Sequence, residues 1–522
     1  MNPQNPIIRG FNPDPSIIRV GDDYYIATST FEWFPGVQIH HSKDLVNWEL
    51  VAHPLNRTSQ LDMIGVPDSC GVWAPCLSYD NGTFYLVYSN VKSFDGVWKD
   101  TPNYLITTND ILGDWSDPTY LASYGFDGSL FHAPDGKKWF LGMLVDHRKG
   151  KFFGGIVVQE FDLEKQKLIG KAHHIFEGTD LGKTEGPHLY YRSGFYYLIT
   201  AEGGTEYGHA ISLARSKDIL GPYEVHPDNP IISAKDSPEN ALQKSGHGDL
   251  VETANGRIFC TYLVGRPLST LGRCTLGRET AITEMEWRAD NWLYAKKSRI
   301  PSLDIPFSIE QKQDNSKHYT FENRIDINFQ ALRRPIEDSW AQIIGKRLRL
   351  IGQESLSSLH FQSLLAHRVQ SHHVEVDTKL EFEPKSFQQI AGIVCYYNSY
   401  HWIYLNVSTN ELGIRALNIS LCDKHLISEP LEKGIEIEDG AIELKVSFNR
   451  DKIQFFYRQS DDWHTIGPAL DGSILSDDYV RDEENRYRPA FTGAFIGLCC
   501  QDLTGGQIPA DFEYFNYQEL KE

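Results

Sequence analysis

The chain has 522 residues, 41% of them hydrophobic, which is enough for two or more domains with substantial cores. Fifty basic against seventy acidic residues leave a net charge of −20 with no basic run to offset it, which argues against nucleic acid and anionic membrane surfaces as partners. Eight cysteines without a CxxC pair, and an N-terminus without a basic segment followed by an apolar core, place the expected chain in the cytoplasm with free thiols.

In chain order, the first 270 residues repeat one unit five times: a short lead, an apolar strand, a turn, then an aromatic-rich strand. The leads are Asp14-Pro15, Ala74-Pro75, Asp127-Gly128, Glu185-Gly186 and His247-Gly248. Turns at Gly21, Asn81-Gly82, Gly136, Gly194 and Asn255-Gly256 suit tight hairpins, because Gly and Asn accept positive φ. A second pattern, Ser42-Lys43-Asp44 to Trp48, Thr108-Asn109-Asp110 to Trp115 and Ser216-Lys217-Asp218 to Tyr223, follows three of the hairpins and suits outer strands with an Asp-capped turn. A period of this length belongs to repeat architectures, and five units predict a five-bladed β-propeller over residues 1–303. From about Lys296 to His318 the repeat dissolves into a stretch with two prolines and then a polar run, and 304–318 reads as a linker. From 319 to 522 strands alternate in the period of a half-buried sheet, as at Val374, Val376, Thr378, Leu380 and Phe382, and predict a β-sandwich.

In a propeller the first strand of every blade lines the axis, so Asp14, Asp127, Glu185 and His247 are expected to converge. Turn formation is the plain use of Asp-Pro and Asp-Gly, but three carboxylates at one phase of a repeat ask for more. Acetal hydrolysis needs one carboxyl to protonate the leaving oxygen and a carboxylate to activate water or attack, and adjacent burial separates their pKa values. Phe31 and Trp73 are candidates for stacking on a sugar ring, with packing as the plain alternative, and Trp33 is a weaker one. Arg278 offers a fork of donors to hydroxyls, against a surface pair with Glu279. His247 could ligate a metal or be a hydrogen-bonded structural residue. A water-surrounded Ca²⁺ is the form an axial ion would take, since imidazole is an unusual ligand for so hard an ion.

The runs FNPDPSIIRVGDDYYIATSTFEWFPGVQIHHSKDLVNW, WAP at 73 to 75, FDGSLFH, TEGPHLYY, TAEGG, SGHGDLVET and LGRETAI resemble glycoside hydrolase family 43, and more narrowly its β-xylosidases. SFQQIAGIVCYYN and FTGAFIGL are similar to the β-sandwich those enzymes carry. The resemblance implies an inverting, exo-acting enzyme releasing xylose from xylobiose and short xylooligosaccharides, with Asp14 as general base, Glu185 as general acid and Asp127 tuning and orienting the acid. It also implies Arg278 as a substrate-binding arginine, His247 near an axial Ca²⁺ not required for the chemistry, Phe491 of the sandwich as a wall of a short pocket, and a homo-oligomer, tetramer or dimer. α-L-Arabinofuranosidase activity is the alternative within the class, and a non-catalytic carbohydrate-binding propeller the alternative outside it. One departure stands out: Cys76 follows Trp73-Ala74-Pro75 where relatives usually have Asp, and its effect is expected on local structure.

Overall fold

The computed structural model describes residues 3–94, 96, 98–148, 152–312, 314–481 and 489–521. Contacts divide the chain into two compact units. The first comprises Met1–Glu32, Gly36–Leu271 and Arg278–Gln311, and the second Trp33–Pro35, Gly272–Gly277 and Lys312–Glu522. No helix among the described residues is long and apolar enough to cross a membrane.

The first unit is a five-bladed β-propeller. Blade one is built from Ser16–Val20, Asp23–Thr28, Gln38–Ser42 and Glu49–Ala52, hydrogen-bonded in that order. Blade two follows with Gly71–Asp80, Thr83–Val91, Asn103–Thr108 and Thr119–Ala122, and blade three with Ser129–His132, Lys138–Val145, Phe153–Asp162 and Lys167–Phe176. Blade four comprises Glu185–Arg192, Phe195–Glu202, Ala210–Ser216 and Glu224–Val225, with Ile232–Ser233 also pairing the third strand. Blade five is Gln243–Glu252, Ile258–Gly265, Arg278–Trp287 and Leu293–Ala295. Each first strand neighbours the first strand of the next blade, and blade five's neighbours blade one's, so the ring is closed.

The sequence builds each blade in the same way. Gly21, Gly82, Gly136, Gly194 and Gly256 all have positive φ at the hairpin turn, as the repeat predicted. Asp44 accepts from the backbone N–H of Val46 and Asn47, Asp110 from Leu112 and Asp218 from Leu220, so the second pattern is a capped turn between third and fourth strands. The cores lie between blades. Ile17, Ile26, Val251, Phe259 and Ile282 pack blades one and five, Cys76, Val87, Leu130 and Phe140 blades two and three, and Ile199, Leu213, Cys260 and Tyr262 blades four and five.

The seam between the last blade and the first is sealed by the chain's beginning. Ile7 and Ile8 donate to the carbonyl of Thr280, Thr280 returns a bond to Ile8, and Asn12 donates to the carbonyl of Arg278. Residues just past the predicted propeller boundary belong to the same seam: Ile305 is in its core and Phe307 stacks on Phe259. The first unit therefore runs to Gln311.

The second unit is a β-sandwich of an eight-stranded and a nine-stranded sheet. His373–Glu381 and Ile442–Asn449 bury every second residue, as their alternation predicted. Trp33–Phe34 is an edge strand of the nine-stranded sheet, where Trp33 stacks on Phe495 at 3.8 Å between centroids. Trp33 is thus packing, as the plain reading of that residue has it.

Candidate active site

The inner strands begin at one end of the propeller and run to hairpin turns at the other, so every second strand brings the chain back to the starting end. Blade leads and the loops between second and third strands therefore share that end, which gathers Asp14, Asp127, Glu185 and His247 with Ser29, Thr205 and Arg278.

The leads share a backbone feature that composition does not show. Asp14 (φ 55°), Ala74 (29°), Asp127 (55°), Gly186 (55°) and His247 (48°) all lie at positive φ, one at the opening of each blade. A residue with a Cβ is costly to hold there, and such positions persist where the surrounding structure over-determines them. The left-handed residue precedes the inner strand in blades one and three and sits at a register shift inside it in blades two, four and five, where the break in pairing turns the lead side chains to the axis.

Asp14 is buried and each of its oxygens meets a donor: Ser29 Oγ at 2.6 Å on Oδ2 and Arg278 NH1 at 3.4 Å on Oδ1. Ser29 is itself held by the backbone N–H of Ala74, which donates to its Oγ at 2.8 Å. Asp127 is also buried, and its Oδ2 accepts from the Gly186 N–H at 3.0 Å. His247 Nδ1 lies between them, 3.9 Å from Asp14 Oδ1 and 4.0 Å from Asp127 Oδ2.

Electrostatics divide these groups. Burial, then the charge of Asp14, raises the carboxyl of Asp127 far above the usual range. Burial, then Asp127 and Asp14, raises Glu185 likewise, against the opposing pull of Arg278 and Lys183. Burial also lowers His247 to about 4, so its imidazole is neutral at working pH. The arrangement holds protons on two carboxyls beside a third that is supplied with donors.

Arg278 is buried and turned toward Asp14 and Thr205, to whose Oγ1 it donates at 2.8 Å. The pair with Glu279 does not form, because Glu279 is taken by Arg266 at 2.6 Å. The Arg278 guanidinium sits 5.5 Å from the Phe31 ring centroid, and Phe31 is 6.0 Å from Trp73, which contacts Phe94 and Phe126 at 5.1 Å each. Phe31 and Trp73 thus form an aromatic wall beside the carboxylates. Phe491 belongs to the second unit, where it is buried with the Arg481 guanidinium 5.9 Å from its ring.

Cys76 packs in the core between blades two and three, its thiol pushed up to about 12 by burial and then by the charge of Asp249. It is a neutral packing group. Around His247 the protein offers a Ca²⁺ ion one imidazole nitrogen, and among the described residues the three close ligand atoms of a metal cage occur only at Cys274, Asp477 and Asp478 in the second unit. The axial residues do not form a cage of oxygen ligands.

Sequence reasoning missed Ser29 and Thr205. Ser29 lies two residues beyond the last paired position of the blade-one hairpin, Ser16↔Ala27, and its N–H donates to the carbonyl of Pro13, so the repeat phase applied to second strands identifies it. Thr205 lies in the following loop of blade four and carries no comparable signal.

A closed five-bladed ring with three carboxyls at one end of its axis defines a carbohydrate-active propeller. Residues 3–293 match the model of glycosyl hydrolases family 43, and residues 318–518 that of the beta xylosidase C-terminal Concanavalin A-like domain. The chain belongs to glycosyl hydrolases family 43. It is 51% identical to a beta-xylosidase of Bacillus subtilis (strain 168), covering 99% of each chain, and 50% identical to xylosidase/arabinosidase 43B of Humicola insolens, covering 99% of this chain and 98% of that protein. The crystal structure of a xylan beta-1,4-xylosidase from Bacillus halodurans C-125 superposes with a TM-score of 0.95 at 48% identity, over 99% of this chain and all of the other.

Proposed function

We propose that the protein is an exo-acting, inverting β-xylosidase that releases xylose from the non-reducing ends of xylobiose and short xylooligosaccharides. The observation that carries this reading is the meeting of three buried carboxyls at the axis: Glu185 and Asp127 raised, beside an Asp14 supplied with donors by Ser29 and Arg278.

In the proposed reaction water stands on one face of the sugar and the leaving oxygen on the other. Asp14 accepts a proton from the water as its oxygen bonds to C1, and Glu185 donates a proton to the glycosidic oxygen as the C1–O bond breaks. Asp127, tied to the Gly186 N–H, stands beside Glu185 in the same buried cluster, where burial and the mutual penalty on a second negative charge keep the acid protonated. Arg278 and Thr205 bind sugar hydroxyls against the wall of Phe31 and Trp73. The carboxyls supply both proton transfers, so no metal enters the steps; a calcium ion near His247 would keep most of its water shell.

Inversion requires room for water, with carboxyl oxygens of Asp14 and Glu185 roughly 6.5–9.5 Å apart. The test is proton NMR of xylobiose hydrolysis: α-xylose is the expected first product, and β-xylose would overturn the mechanism. Arabinofuranosidase activity is the second reading, favoured by the double designation of the Humicola insolens relative. Faster turnover of nitrophenyl α-L-arabinofuranoside than of nitrophenyl β-xyloside would make it the first. All eight cysteines are buried and outside any disulfide, which supports work in a reducing compartment such as the cytoplasm.

A further inference from the structure

Seventeen residues beyond the proposed acid lies a carboxylate that the reaction does not use. Glu202 closes the second strand of blade four and is fully buried, and among the described residues its hydrogen bonds come from neutral groups. Four donors meet it. Oε1 accepts from the Thr179 N–H at 2.7 Å and Thr184 Oγ1 at 2.8 Å, and Oε2 from Thr179 Oγ1 at 2.5 Å and Ser212 Oγ at 2.6 Å.

These donors come from two places. Ser212 is on the third strand of blade four, while Thr179 and Thr184 bracket the segment that carries the chain into Glu185. That segment packs tightly on the carboxylate. Gly178 has φ 98°, and a Cβ there would stand 1.9 Å from Thr184 Oγ1 and 2.9 Å from Glu202 Oε1, so only glycine allows the approach. A further backbone bond, Gly203 N–H to the carbonyl of Gly182, closes the same loop. Glu185 itself pairs with Ala201, the neighbour of Glu202, immediately before a bulge that shifts the register to His188↔Ile199. A bulged strand end needs an anchor on each side to hold one side chain in place. Downstream the anchor is Gly186 on Asp127; upstream it is Thr184 on Glu202.

We propose that Glu202 is a positioning residue that fixes Glu185 against the leaving oxygen. This rests on the reading of Glu185 as the acid. A carboxylate accepts all four bonds, whereas the amide of Glu202→Gln keeps one acceptor oxygen and forces the hydroxyls on its other side to turn and accept, which loosens the hold on the segment without changing its volume.

The experiment compares xylobiose, whose leaving sugar needs protonation, with 2,4-dinitrophenyl β-xyloside, whose leaving group does not. For Glu202→Gln the expected result is a kcat loss of roughly 10- to 100-fold on xylobiose with KM within about twofold, and less than about threefold loss on the dinitrophenyl substrate. Equal losses on both substrates, or none on either, would overturn the proposal. Thr184→Val removes one donor at nearly constant volume and should show the same asymmetry to a smaller degree, which keeps the test decisive should Glu202→Gln fold poorly. Glu185→Gln is measured in parallel. If it lacks the asymmetry, the acid assignment has failed and this inference falls with it; if it shows the asymmetry and the Glu202 and Thr184 variants do not, only the inference fails.

Discussion

Glu185 shows how a single residue can favour reaction over stability. Its carboxyl is raised by burial and by the neighbouring Asp127 and Asp14, whereas in the unfolded chain it titrates near 4.5. Between those two values the folded state holds more protons than the unfolded state, so stability falls as pH rises through that window and levels off above it. A neutral side chain escapes the loss. Glu185→Gln should therefore have a Tm close to that of the parent below about pH 4, where both side chains are uncharged, and a growing advantage from there through neutral pH. Differential scanning calorimetry across that range checks it, and a Tm difference that does not change with pH would contradict the raised carboxyl. The proposed role of Glu185 was legible because three carboxylates share one phase of the repeat. Its support was not: Ser29, Thr205 and Glu202 act through contacts made only when strand ends are brought together, and their residue types are common in any loop.

At the scale of the element, one residue type serves two different ends. Gly82 ends a hairpin at φ 84° with nothing within 4 Å of where its Cβ would be, so its only requirement is conformational. Gly186 also has positive φ, but a Cβ there would meet the ring of His247 at 3.0 Å and Ala201 at 3.2 Å, beside the carboxyls. Alanine at 82 should cost about 1 kcal/mol of stability and leave kcat/KM unchanged. Alanine at 186 should push the His247 ring and lower kcat/KM by at least about tenfold, through displacement of groups in the site. Denaturation midpoints and steady-state kinetics on the two variants separate the cases; a large activity loss in the first or none in the second would refute the distinction. The hairpin was legible from Asn81-Gly82 because turn chemistry is local. The left-handed leads were not, since Asp, Ala and His at those positions give no sign of positive φ and the ring imposes it.

For the molecule as a whole, a propeller has one weak point, the place where its last blade must find its first. The repeat predicted five units without saying how the ring closes, because the closing segment precedes the first repeat and resembles none of them. Asn5 is the buried clasp. Its Nδ2 donates to the carbonyls of Ile282 and Ser302 at 2.9 Å each, and its Oδ1 accepts from the Ile282 N–H at 2.9 Å. Ile7, Ile8 and Ile305 pack around the same seam. Along it, Thr280 Oγ1 donates to the carbonyl of Asn12 at 2.7 Å, and two residues further on Asp14 meets Arg278. The proposed base and the arginine beside it thus belong to the first and last blades of the propeller, and the seam fixes their distance. Asn5→Ala would leave the buried N–H and carbonyl of Ile282 without this partner and free the part-buried carbonyl of Ser302, at a cost of about 2–3 kcal/mol after partial relaxation. The loss should appear as a lower denaturant midpoint for the propeller. Because closure also sets the Asp14–Arg278 pair, activity in rising denaturant should be lost earlier than in the parent and together with the propeller's structural signal. An unchanged midpoint would show that the apolar seam closes the ring without the clasp.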